Sequence, residues 1–100
     1  MIEAAGAVSH FVVGRTREQL DSDLMLQFAL VRAVEVFGEA AARVSTSVKV
    51  AAPDIPWPEI VATRNRLIHA YFNIDRAILW RAATEEIPAL VPCLRKLIEG

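Results

Sequence analysis

The feature that most restricts this chain is the spacing of Leu26, Leu30, Ala33, Phe37, Ala40 and Val44, which is four, three, four, three, four. Apolar residues at that interval share one stripe of an α-helix but scatter over both faces of a strand, so the centre of the chain has to be helical. The pattern predicts one long helix from Asp21 to about Ser47. A second stripe, Leu20, Leu24, Phe28 and Val31, flanks the first, so the helix is expected to touch more than one neighbour. A free-standing coiled coil would need a longer repeat with ordered flanking charges, and these are missing, so the pattern reads as the core helix of a bundle. Glu35 and Glu39 stand four apart on that helix and repel unless something neutralises them.

The flanks are helical too. Residues 2–13 are apolar with few breakers and should form a helix ending near Gly14, a suitable C-cap. Thr16 or Asp21 can cap the next helix. Residues 51–58 contain Pro53, Pro56 and Pro58, cannot be helix interior, and form the main loop. Pro58 suits the first turn of a new helix, with Glu59 beside it and Trp57 packed across the entrance. That helix should reach about Tyr71. Asn73 or Asp75 then caps another helix to about Ala83, and Thr84, followed by Glu85 and Glu86, reads as a fresh cap for a last helix to Ile98. Pro88 is tolerable near that start, whereas Pro92 should kink the helix or remove a hydrogen bond. No strand period, internal repeat or low-complexity tract appears, so the chain reads as one all-α domain spanning residues 1–100.

Composition says how such a bundle must behave. The chain has 100 residues, of which 54% are apolar, and its mean hydropathy is positive. A bundle this small has too little interior to hide so much apolar side chain. No uninterrupted apolar run approaches the roughly 20 residues that span a bilayer, and the start, with Glu3 and His10, lacks the pattern of a signal peptide. Self-association is therefore expected rather than a membrane. The net charge of −1 predicts no whole-molecule attraction to nucleic acid, so any such contact must be local. The single cysteine, Cys93, allows neither an intrachain disulfide nor a cysteine-based metal site. A cytoplasmic setting and no metal or cofactor are expected.

One octet stands apart: Arg64-Asn65-Arg66-Leu67-Ile68-His69-Ala70-Tyr71. It gathers two arginines, one of two histidines and the only tyrosine. At about 100° per residue, Arg64 and Tyr71 fall within about 20° of one stripe, and Asn65 and His69, four apart, can touch. A guanidinium, a group titrating near neutrality and a phenol suit phosphate chemistry, with arginine as a bidentate anion clamp and histidine as general acid or base. A lone histidine on an apolar helix is more often a hydrogen-bonded structural residue, and Arg66 reads as a solvated one, so spacing alone does not establish catalysis.

The octet resembles the R-x-x-x-x-H-x-Y motif of HepT-like toxins, a branch of the HEPN superfamily of helical ribonucleases. Arg64, His69 and Tyr71 match it position by position, with Asn65 as the polar residue that commonly follows the arginine. The resemblance extends to Gly38-Glu39-Ala40, Ile55-Pro56-Trp57, Ile74-Asp75, Leu79-Trp80 and Ile87-Pro88-Ala89-Leu90, and so covers about residues 30–92; the first helix is shorter than the family usually has. It implies a HEPN-like antiparallel bundle of four to five helices, paired as a homodimer with the two motifs facing across a cleft. It further implies a type VII-like toxin–antitoxin pair: a metal-independent ribonuclease acting on RNA through Arg64 and His69, with Asn65 and Arg66 supporting. The partner would be an MNT-type nucleotidyltransferase antitoxin that neutralises the toxin by adenylylating Tyr71. The alternative is a non-catalytic helical dimer that binds a nucleotidyltransferase or a nucleotide.

Overall fold

The computed structural model describes residues 1–68 and 75–99, and every regular element among them is helical. The order is α1 (Ile2–Val12), α2 (Arg17–Ser22), α3 (Leu24–Arg43), α4 (Thr46–Ala51), α5 (Trp57–Ile68), α6 (Arg76–Arg81), a π-helical turn (Ala82–Glu86) and α7 (Ile87–Glu99). The last three join end to end, so the all-α expectation is met by four long rods, α1, α3, α5 and the rod from α6 to α7, with two short helices between them.

Local chemistry fixes most boundaries. Gly14 turns the chain after α1 with φ of 71°, a conformation that suits glycine. Thr16 caps α2 in a reciprocal capping box: its hydroxyl accepts from Gln19 N at 3.2 Å and its own N–H donates to Gln19 Oε1 at 2.9 Å. Asp23, rather than Asp21, caps α3 by accepting from Leu26 N at 3.0 Å. Asp75 caps α6 by accepting from Ile78 N at 3.0 Å. Trp57 opens α5, is buried, and donates from Nε1 to Ala52 O at 3.1 Å, which ties down the proline loop as expected.

The long stripe does face the core. Leu26, Leu30, Ala33 and Phe37 are buried, and Ala40 and Val44 are half-buried. Helix α3 is the centre of the molecule, packed between α1 and α5, while the α6–α7 rod closes over α1. Three expectations need correcting. The long helix stops at Arg43, because Ser45 accepts from Val48 N and starts the separate helix α4; serine competes with helical hydrogen bonds and favours a cap. The second stripe is only partly a contact face: Leu20 is buried and Val31 is half-buried against the core, whereas Leu24 and Phe28 are 59% and 58% exposed. Gln27, Val34, Gly38 and Ala41 are buried on that side instead. A polar residue is affordable there because Gln27 Nε2 donates to Leu20 O at 2.9 Å and Asp21 O at 3.3 Å, closing the end of α2.

The third correction concerns Thr84. No helix starts there; its hydroxyl instead donates back to Trp80 O at 2.7 Å, inside a continuous rod. Ile87 N donates to Ala82 O, the five-residue spacing of a π turn. Pro88, immediately after, has no N–H to give Thr84 O, and its ring would crowd that carbonyl in a regular α-helix. The wider turn is the local way out.

Candidate functional site

Helix α5 carries the first half of the octet. Trp57 lines the same cleft as Val44 and Val48, while Arg64 lies against Gly38, so α5 runs antiparallel to α3. Its C-terminal end therefore points towards the first half of α3. The chain resumes in α6, which Arg76 ties to that end of the molecule through Asp21, Nε to Oδ1 at 3.0 Å. Asp21 also takes Arg17 Nε at 3.1 Å. Arg76 is thus paired, in contact with a carboxylate that it shares with Arg17.

Arg64 is placed unlike the other arginines. The residue is half-buried, and its Nε is sealed from solvent without a hydrogen-bond partner among the described residues. None of the ion pairs among the described residues involves it; these are Arg15–Asp23, Arg17–Asp21, Arg32–Glu35, Arg32–Glu39 and Arg76–Asp21. A partly desolvated guanidinium without a carboxylate favours an anion in its vicinity. The stem of Arg64 lies against the backbone of Gly38. A Cβ on that glycine would run into Arg64 Cβ and stand 2.7 Å from its Cγ.

The acidic residues nearest in sequence to Gly38 are held by another cation. Arg32 Nη1 sits 3.0 Å from Glu35 Oε1 and 3.9 Å from Glu39 Oε1. The like-charge pair is thus neutralised from within its own helix rather than by an arginine of another one. Asn65 and Arg66 are exposed. Arg66, two residues on, points about 160° away from Arg64 around α5 and cannot share its pocket. His69 and Tyr71 lie outside the described residues.

On the other flank of α5 a groove of about 190 Å³ is floored by Val34, Phe37 and Ile60 and walled by Ile87 and Leu90 of α7. Glu59, at its rim, is about 140° around the helix from Arg64, and Arg64 is not among the residues that line the groove. No group of three or more histidine, cysteine, aspartate or glutamate side chains that could hold a metal occurs among the described residues. No helix among them is long and apolar enough to cross a membrane.

What sequence reasoning missed is the work of Gly38, which entered only as part of a resemblance. The available signal was a glycine inside an otherwise strong helical pattern, a position that costs about 0.5–1 kcal/mol relative to alanine and so asks for a packing reason.

The chain is similar to known proteins over nearly its whole length. The family described as "Ribonuclease HepT-like" matches residues 1–97. A Thermococcus cleftensis protein named "Probable ribonuclease HepT" is 38% identical over 95 residues, covering 95% of this chain and 86% of its own length. A Methanocaldococcus jannaschii protein named "Putative RNase MJ1380" is 33% identical over 90 residues, covering 90% of this chain and 83% of its own. A Caldanaerobacter subterraneus protein named "Putative RNase TTE0752" is 32% identical over 88 residues, covering 88% and 79% respectively. No solved structure matches the chain.

Proposed function

This chain belongs to the HepT-like ribonuclease family, and from that premise we propose that it cleaves RNA without a metal, using Arg64 and His69. The observation that carries the reading is Arg64: a half-buried cation with a sealed Nε and no carboxylate partner among the described residues, five positions before a histidine and seven before the only tyrosine.

In the proposed reaction His69 removes the proton from a ribose 2′-hydroxyl. The 2′-oxygen bonds to phosphorus, the bond to the 5′-oxygen breaks, and an acid protonates the leaving oxygen. The products are a 2′,3′-cyclic phosphate and a 5′-hydroxyl. Arg64 holds the non-bridging oxygens, where charge grows in the transition state. Only RNA carries the 2′-hydroxyl, so the substrate class follows from the chemistry. In a homodimer with facing motifs, the partner's His69 supplies the acid.

In this reading the second copy packs on the first half of α3. Met25 is 83% exposed, and Leu24 and Phe28 beside it make an apolar face at the end of the bundle towards which α5 points. Regulation follows from Tyr71: transfer of AMP from ATP to its oxygen, with pyrophosphate leaving, would put a phosphate within reach of Arg64 and occupy the clamp. The enzyme that does so is a nucleotidyltransferase antitoxin, and the setting is the cytoplasm.

The test is cleavage of single-stranded RNA by the purified chain in the presence of a chelator. Cleavage abolished by His69→Ala in a folded protein supports the reading. A folded, dimeric chain that leaves RNA intact would instead select the non-catalytic dimer that binds a nucleotidyltransferase, which the slightly acidic net charge of −1 favours.

A further inference from the structure

We infer that Gly38 of α3 is a positioning residue for Arg64, keeping the guanidinium at the edge of the α3–α5 seam by leaving room for its stem. The inference rests on the reading of Arg64 as the phosphate clamp, but its geometry stands apart from it. Gly38 is buried in the body of α3. A Cβ built there would overlap Arg64 Cβ and lie 2.7 Å from Arg64 Cγ, with Ile60 O at 3.5 Å. The atoms in the way are the first two carbons of the side chain, which cannot swing aside without α5 moving or Arg64 changing rotamer. Gly6 makes the contrast: it also lies inside a helix, and a Cβ there would meet nothing within 4 Å. The missing side chain at position 38 is therefore specific to the arginine facing it.

The sealed Nε belongs to the same side chain. It lies two bonds beyond the Cγ that faces Gly38, on the same stem. A larger residue at position 38 would lift the stem off α3, open Nε to water and release the terminal nitrogens from one fixed direction. A clamp that must find its direction anew at each encounter gives up part of its preorganisation.

The experiment uses the full chain with Gly38→Ala and, as control, Gly6→Ala. The first readout needs no RNA: the arginine Nε–H resonance that disappears in Arg64→Lys is followed for shift and solvent exchange. In Gly38→Ala it is expected to shift and to exchange at least about tenfold faster, while Gly6→Ala leaves it unchanged. The second readout is the salt dependence of RNA binding. Loss of one phosphate contact to a single strand lowers the slope of log K against log salt by about 0.7. Gly38→Ala should lower it as Arg64→Ala does, and the double variant should lower it no further. A folded Gly38→Ala whose Arg64 resonance keeps its position and protection overturns the inference. A resonance that moves while RNA cleavage and the salt slope stay as in the unmodified chain upholds the positioning and counts against Arg64 as the clamp. Should Gly38→Ala fail to fold, the exchange Gly38→Ala with Arg64→Gly moves the missing side chain to the other helix. Recovered folding supports the contact, and continued failure refutes it.

Discussion

Gly38 and Arg64 meet across the α3–α5 seam with no room between them for a methyl group. This reverses the usual sign of a glycine-to-alanine change. Inside a helix, alanine is ordinarily favoured over glycine by about 0.5–1 kcal/mol. Gly6→Ala, which opens onto free space, should raise stability by about that amount. Gly38→Ala should lower it by about 1–3 kcal/mol, the range for overpacking. Urea denaturation of both variants checks the pair, and a stabilised Gly38→Ala would mean that the seam is looser than the geometry says.

Cleavage should depend on the shape of residue 64 as well as its charge. Arg64→Ala is expected to lower the rate about 10²–10³-fold, as loss of one charge-stabilising donor does elsewhere. Arg64→Lys keeps the charge without the planar fork and should recover only part of that loss. Single-turnover cleavage of a labelled RNA separates the two, and equal rates for Lys and Arg would show that a point charge suffices.

Pairing of subunits should be broken from α3. Phe28 is 58% exposed and neighbours Leu24 and Met25 on that surface. Phe28→Glu removes apolar area and adds like charges to a two-fold contact. Sedimentation should show a folded monomer with strongly reduced cleavage. An intact dimer would place the interface elsewhere.

Gln27 should matter more than a surface amide. Its side chain is 8% exposed and donates to the carbonyls of Leu20 and Asp21. Gln27→Leu leaves those oxygens short of a donor, and a destabilisation of about 1–3 kcal/mol is expected from thermal melts. Arg32→Ala, by contrast, breaks only exposed pairs, with the arginine side chain 65% exposed. A few tenths of a kcal/mol, vanishing at high salt, is expected there.

The parts of the fold written in short-range chemistry were readable from the sequence. Thr16 and Asp75 sit where caps belong, Trp57 seals the proline loop, and the four-three spacing that begins at Leu26 buries its first four members. The parts that depend on which neighbour arrives were not. Leu24 and Phe28 look like core, but α5 packs on the side of α3 that carries Val34, Phe37 and Gly38, and nothing local says so. Thr84 has the residue type of a cap and the glutamates to follow, yet Pro88 acts on the same turn and a π turn results. Of the candidate site, Arg64 was identified as a cation suited to phosphate, while the glycine that seats it lies 26 positions earlier on another helix. Contacts across that distance in sequence leave no periodic trace.

The π turn also sets how the last rod tolerates changes in length. Leu79 and Ile87 are both buried although they stand eight positions apart, and in an unbroken α-helix they would point about 80° apart. The surplus residue in Ala82–Glu86 takes up most of that angle. Loss of one residue from this turn would leave the two positions seven apart and nearly in phase, whereas a loss within α7 would swing every later side chain away from α1. The rod's slack is concentrated in this turn, and it is here that related chains could differ by a residue without reassembling the bundle.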